Sequence, residues 1–368
     1  MDGRHSTQEA PGSVLIEDTL WPLVASLGGV PWPPGSQAEA RAFIEEAMQQ
    51  FLLPLLFAHP EAIPSFARES LAGFRALERV HRARTDILRD EMRSFAERMN
   101  GEPFAVLKGW DYAHRLYRDP YLRPMSDLDI LIPAARLSSV RTRLLNSGMR
   151  QAFHGGHRNL EEHHEHVFLT ERAMIEVHQA FTQQSRHTID YEGVWRRRVP
   201  FGYGTPLFVS RLGDADAIAY QTLSMGIDEF SVRLIRYLDL CLMIERSPDA
   251  LGEAAELARL WRSRRAFYGA LRTTAMVFPG IATDDYLRTM SEILPPSTRA
   301  RIDLYVIPDP RRERGGHVSG RLRQLWRKFW LIDDAGRRSR FLAHYVRARI
   351  AGRGQKATRT PAKNDERS

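Results

Sequence analysis

Seven consecutive residues, Ser126-Asp127-Leu128-Asp129-Ile130-Leu131-Ile132, restrict this chain more than any other stretch. Side chains of an extended strand alternate between faces, so Asp127 and Asp129 share one face while Leu128, Ile130 and Ile132 turn to the other. The aliphatic face belongs against a core. The acidic face is a problem to be solved, because two adjacent carboxylates repel and burying one without a partner costs several kcal/mol. Such a pair is either an exposed strand end or the holder of a cation. Ligands that are oxygen only favour Mg²⁺ or Mn²⁺ over zinc.

The surroundings of the pair favour the cation holder. Phe104 to Leu107 is a short apolar run ended by Lys108-Gly109, and Trp110 to Tyr117 has helical spacing. A strand, a glycine, a helix and a strand bearing D-x-D therefore follow one another. In that order, and in Leu107-Lys108-Gly109 followed by Arg123-Pro124-Met125-Ser126-Asp127-Leu128-Asp129, the chain resembles the DNA polymerase β-like nucleotidyltransferase superfamily. The match is closer to its bacterial branch of uncharacterised nucleotidyltransferases, labelled only as nucleotidyltransferase family proteins. It covers roughly residues 100 to 245, including Arg236-Tyr237-Leu238-Asp239-Leu240, which is similar to a motif in the helical half of that branch. There Tyr237, Leu240 and Ile244 are expected to pack, and Asp239 to pair with a nearby arginine.

Families of this kind need a third carboxylate on a neighbouring strand. Met174-Ile175-Glu176-Val177-His178 supplies it, because alternation puts Glu176 and His178 on one face and Ile175 and Val177 on the other. One departure is plain: the superfamily carries Gly-Gly or Gly-Ser, whose serine contacts nucleotide phosphates, where this chain has Lys108-Gly109. The resemblance implies a Mg²⁺- or Mn²⁺-dependent enzyme that moves a nucleoside monophosphate from an NTP to an acceptor hydroxyl or phosphate. In such chemistry two divalent ions about 3.5–4 Å apart bind the attacking oxygen and the leaving pyrophosphate. Asp127, Asp129 and Glu176 would hold them, and Glu176 could take the acceptor's proton. Lys108, Gly109, Arg123 and Ser126 would meet the nucleotide, and His178 the acceptor side. The superfamily modifies tRNA ends, antibiotics, proteins and small metabolites, so the acceptor stays open among small metabolite, peptide or protein, and RNA.

Two readings from other classes compete. The same fold could sense a nucleotide without catalysis, although an intact acid triad argues against a degenerate site. Alternatively, the histidines could bind zinc: His154, His157, His163, His164, His166, His178 and His187 lie within 34 residues, out of 13 in the chain. His154, His157 and His164 with a carboxylate would make a metallohydrolase site, but no H-E-x-x-H pattern supports it. His154-Gly155-Gly156-His157 lacks the strand and GK context of a phosphate loop and reads as a turn.

The 368 residues, 43% of them hydrophobic, suffice for two modest domains. The expected fold class is α+β, a nucleotidyltransferase-type mixed sheet flanked by helical N- and C-terminal regions. Residues 1–100 form the helical N-terminal region, with Ala40–Leu56 and Leu71–Met99 carrying apolar residues at three- and four-residue spacing. The Leu71, Phe74, Leu77, Val80, His81 stripe is packing, and Pro31-Trp32-Pro33-Pro34-Gly35 is a turn. Residues 101–212 form the catalytic core, with strands at 104–108, 127–132, 167–170 and 174–181 and a helix from 134 to 147 ended by Gly148. Residues 213–300 form a helical domain with helices near 215–225, 231–244, 251–262 and 265–278. Basic amphipathic helices at 301–350 and a disordered basic tail at 351–368 follow.

No run reaches the ~20 apolar residues of a membrane span, and residues 1–11 lack a signal-peptide core, so a cytoplasmic protein is expected. Cys241 is the single cysteine, which excludes disulfides within the chain and CxxC-type sites. The net charge of +8 is unevenly placed: from Arg311 onward there are 17 Lys and Arg against 5 Asp and Glu, which leaves −4 for the rest. That segment, from Arg311 to Arg359, interleaves Leu322, Leu325, Trp326, Phe329, Trp330, Phe341, Tyr345 and Ile350 with arginines. It suits RNA, an anionic membrane surface, or an acidic face of the protein itself.

Overall fold

A computed structural model describes residues 20–60, 63, 65–152, 164–183, 186–202, 209–307 and 320–343. Five helices lead into the sheet: α1 (Trp21–Gly28), α2 (Gln37–Gln49), α3 (Leu53–Ala58), α4 (Ser65–Ala72) and α5 (Arg75–Met99). The expected proline-rich turn separates α1 from α2. The long amphipathic stretches are each interrupted once. Between α2 and α3 the chain turns at Phe51, whose φ of 63° is left-handed. Between α4 and α5 it turns at Gly73-Phe74, so the apolar stripe drawn from Leu71 to Val80 changes phase there. Val80 is accordingly 60% exposed, whereas Leu71, Leu88, Met92 and Phe95 are buried.

The sheet has seven strands: β1 (Phe104–Val106), β2 (Leu128–Leu131), β3 (Arg150–Ala152), β4 (Glu165–Leu169), β5 (Met174–His178), β6 (Val199–Pro200) and β7 (Val209–Arg211). Their order is β3-β4-β5-β2-β1-β7-β6. Strand β2 is antiparallel to β1 and parallel to β5, and β1 is parallel to β7. The hairpin expected around Glu171-Arg172 is present as the antiparallel β4–β5 pair. Helix α6 (Lys108–Leu116) crosses from β1 to β2, and α7 (Leu137–Asn146) follows β2, with Gly148 in the left-handed conformation just beyond its end. Strands β3, β6 and β7 were not anticipated, since runs of two or three residues cannot display alternation.

Alternation divides the core. Phe104, Val106, Leu128, Ile130, Ile175 and Val177 join Leu88, Met92 and Phe95 of α5 and Val140 and Leu144 of α7 on one face of the sheet. Ala105, Leu107 and Leu131 belong to the opposite face, which packs into a larger cluster with the N- and C-terminal helices. After a short helix α8 (Tyr191–Arg197), that second layer consists of α9 (Asp214–Ile227), α10 (Leu234–Arg246), α11 (Ala250–Leu260) and α12 (Arg264–Val277), as expected within a few residues. Helices α13 (Asp284–Glu292) and α14 (Pro296–Tyr305) extend it. The acidic face of β2 therefore looks toward helices, and the aliphatic face toward α5 and α7.

The basic segment contributes α15 (Gly320–Leu331) and a helical stretch at 335–343. Its described part is docked on the chain, with Leu331, Ile332 and Phe341 buried and its own two aspartates contributing to the contact. Asp333 accepts hydrogen bonds from the backbone N–H groups of Arg264 and Arg265, both at 3.0 Å, at the start of α12. Asp334 pairs with Arg262, and Lys328 reaches Glu229 at 3.5 Å. The aromatic Trp326 remains 51% exposed. The side chains of Leu322 and Leu325, and Tyr345, Ile350 and the tail 351–368, lie outside the described residues. Among the described residues no helix is long and apolar enough to cross a membrane.

Candidate active site

The parallel pairing of β2 with β5 sets the site. In its register Asp129 stands directly beside Glu176, and Leu131 beside His178. Since alternate residues share a face, Asp129, Glu176 and His178 come together, and one ligand atom from each lies within 4.8 Å of the others. His178, 2% exposed, brings Nε2 to 3.0 Å from Asp129 Oδ1 and to 3.7 Å from Glu176 Oε2. The Lys108 ammonium donates to the same Asp129 Oδ1 at 3.0 Å from the first turn of α6. Asp127, one residue before β2, lines the same cavity and is half-buried. His178, expected on the acceptor side, is thus packed against the acids themselves. His154, His157 and His163 lie outside the described residues, as does the Gly155-Gly156 turn. His164 is described, with its ring 6.5 Å from that of His178.

The cluster carries more negative charge than its one ammonium balances. Burial pushes the Asp127 carboxyl up, and the neighbouring Asp129 charge adds to it. Burial also raises Glu176, and with the Asp129 charge pushes it to about 8. Asp129 goes the other way: burial opposes its charge, but Lys108 and His178 outweigh it and hold the carboxyl well below the usual range. Lys108 is the mirror case, with burial pulling it down and Asp129 and Tyr220 holding it well above its ordinary value. Burial lowers His164 to about 4. A carboxyl that keeps its proton near neutrality beside a second, ionised one is a place where a divalent cation fits. Hard carboxylate oxygens suit Mg²⁺, and one imidazole nitrogen is compatible with Mn²⁺.

The acids open on a cavity of about 460 Å³, within the range of small-molecule sites. Lys108, Gly109, Ser126, Asp127, Asp129 and Glu176 form its sheet side; Gln221 of α9, Arg236 of α10, and Ser231 and Arg233 just before α10 face them, with Phe51 at the edge. Two expected nucleotide residues have structural partners as well. Arg123 is buried and donates to both carboxylate oxygens of Asp239, at 2.8 and 3.4 Å, which identifies the arginine expected to pair with that aspartate. Tyr117 completes the arrangement by donating to Asp239 at 2.9 Å. A Cβ at Gly109 would lie 2.7 Å from Arg123 Nη1 and would push that guanidinium from its place beside Asp239.

A family model described as an uncharacterised nucleotidyltransferase matches residues 36–279, more than half of the chain. The chain belongs to this family. No curated protein matches it. The span of the nucleotidyltransferase match begins just before α2 and ends just after α12, so it includes both helical regions that wall the cavity as well as the sheet.

Sequence reasoning missed the far wall of the nucleotidyltransferase cavity. Phe51 carried no motif; its signal is structural, a bulky residue in a left-handed conformation, with the Arg233 guanidinium 3.8 Å over its ring. Gln50 ties this turn to the helical layer by accepting from the backbone N–H of Leu234 at 3.0 Å. Arg233, the residue just before α10, and Arg236, in its first turn, are three residues apart, and both line the cavity. Arg236 is held by Asp228 and by Ser224 Oγ at 2.8 Å.

Proposed function

We propose that the protein is a Mg²⁺- or Mn²⁺-dependent nucleotidyltransferase that transfers a nucleoside monophosphate from an NTP to an acceptor hydroxyl or phosphate. The observation that carries this reading is the Asp129–Glu176 register on adjacent parallel strands, opening with Asp127 on one cavity. When bound, the divalent cation would polarise the α-phosphate and offset the charge of the leaving pyrophosphate, with Asp127, Asp129 and Glu176 as its holders. The chain's own residues do the rest. Lys108, at the start of α6, and Arg236 across the cavity supply point and forked cations for the phosphates. Ser126 offers a hydroxyl at the mouth of the same cavity. Phe51 with Arg233 offers a flat surface for a base, since stacking accepts any nucleobase. Arg123 and Gly109 fix the α6 start against α10 through Asp239, so their part is to hold the nucleotide's seat in place.

The acceptor oxygen attacks the α-phosphorus, the bond from that phosphorus to the bridging oxygen of pyrophosphate breaks, and the acceptor's proton passes to Glu176. Glu176 is raised by burial and by the Asp129 charge, so it would be ionised and able to take that proton once a cation offsets both. His178, hydrogen-bonded to Asp129, orients the pair.

The test uses NTPs labelled separately at the α- and γ-phosphate, incubated with the protein and a cell extract as acceptor source. Transfer of α-label only, dependent on a divalent cation, is the expected outcome. Transfer of γ-label would make the protein a phosphotransferase and end this reading. The ion pair between Lys108 and Asp129 is the one observation that favours a nucleotide sensor instead. Tight nucleotide binding with no transfer of either label would select that alternative.

A further inference from the structure

Lys108 sits where a lysine is unfavourable on three counts. Its φ of 37° is in the left-handed region that favours glycine. It opens helix α6, whose N-terminal end carries partial positive charge and disfavours a cation. Its side chain, 26% exposed, lies largely out of water with Nζ 5.8 Å from the Tyr220 ring centre. What compensates first is Asp129 Oδ1, 3.0 Å from Nζ, which also takes His178 Nε2 at 3.0 Å, with Tyr220 as a second, weaker partner. That oxygen belongs to the central carboxylate of the acid cluster, and it is already filled by two nitrogens. Arg236, the next cation on the cavity wall, is engaged by Asp228 and Ser224, so it is not the group that balances Asp129.

We propose that Lys108 is an internal stand-in cation, which occupies Asp129 and closes the divalent-ion site until the phosphates of an arriving NTP draw the ammonium away. This rests on the nucleotidyltransferase reading of the same site. The exchange moves no bond and needs no co-reactant: Nζ leaves a carboxylate oxygen for phosphate oxygens at the α6 N-terminus, where backbone N–H groups also attract anions. The carboxylate vacated in this way is free for the metal ion. Nucleotide and metal ion then load together, and an empty enzyme resists picking up a metal ion on its own.

The experiment compares the wild-type protein with Lys108→Met and Lys108→Gly by two titrations. Mn²⁺ alone is followed by electron paramagnetic resonance, and ATP in EDTA by calorimetry. Removing the ammonium should tighten Mn²⁺ binding by about tenfold or more, a change of about 1.4 kcal/mol, and should weaken metal-free ATP binding. A purely structural lysine would not move the two affinities in opposite directions. Glycine is suited to the left-handed backbone, so Lys108→Gly keeps the test available if the methionine variant unfolds. Equal or weaker Mn²⁺ binding in the folded variants, with α-label transfer intact in the wild type, overturns this inference alone. No Mn²⁺ binding to any of the three proteins overturns it together with the reading beneath it.

Discussion

Arg123 with Asp239 and Lys108 with Asp129 are both buried ion pairs on the same side of the sheet, yet they are built on different terms. The first is closed: one guanidinium, one carboxylate that is 0% exposed, and the Tyr117 hydroxyl filling a remaining lone pair. The Arg115–Asp111 pair, joined by Arg211 and Asp214, is balanced in the same way, two cations against two anions. The second is overloaded, since Lys108 faces Asp129 while Glu176 and Asp127 add two further carboxyl groups around one cavity. Closed pairs fix helices in place. The overloaded cluster has more carboxyl groups than Lys108 can balance, and that excess is what a divalent cation and nucleotidyl transfer call for. Burial and pairing alone do not separate a structural ion pair from a functional one; stoichiometry and an opening to solvent do.

The largest effect should come from breaking the closed pair. Asp239→Ala leaves Arg123 charged and buried, which should cost about 3–5 kcal/mol in a denaturant titration. A loss below ~1 kcal/mol would place this pair with exposed ion pairs and erase the contrast. Asp129→Asn should do the reverse, leaving a folded protein whose α-label transfer falls more than about 100-fold, beyond the loss expected from a mere supporting contact around a metal. Stability should also depend on pH. Glu176 is raised from 4.5 to about 8 in the folded protein, so its contribution to stability is full below about 4.5 and is lost as pH rises through 8. In EDTA, Glu176→Gln should therefore gain on the wild type as pH rises across that window, by up to a few kcal/mol. A flat difference would mean that burial and the Asp129 charge do not raise Glu176. Smallest is Phe51→Ala, which should raise KM for the NTP about tenfold, near the lower end of base–aromatic stacking, and leave kcat nearly unchanged.

The parts visible in the sequence are those whose physics is local. Alternation across Ser126–Ile132 and Met174–His178 assigned Asp129, Glu176 and His178 to one face each before any strand order was known. Helices α9 to α12 and the glycine after α7 were legible from periodicity and capping. What could not be read depends on distant partners. That β2 and β5 are parallel neighbours is a property of the assembled sheet. Which arginine pairs with Asp239 could not be read, because Arg123 lies 116 residues away from it. Phe51 reaches the cavity only because a left-handed turn breaks an apparently continuous helix. Docking of the basic C-terminal segment on the protein itself was one of its expected readings, but its net charge hid the two aspartates that take part in that contact.

The overloaded cluster, and not the balanced ones, is expected to take the divalent cation. Electron paramagnetic resonance of Mn²⁺, titrated into protein saturated with an α,β-methylene NTP analogue, tests it most directly on wild-type and Asp129→Asn proteins. The expected result is protein-bound Mn²⁺ in the wild type, broadened relative to the Mn²⁺–analogue complex in buffer, and loss of that signal with Asp129→Asn. Identical spectra and affinities for the two proteins would contradict it, because the ion would then owe nothing to the carboxylate at the centre of the site.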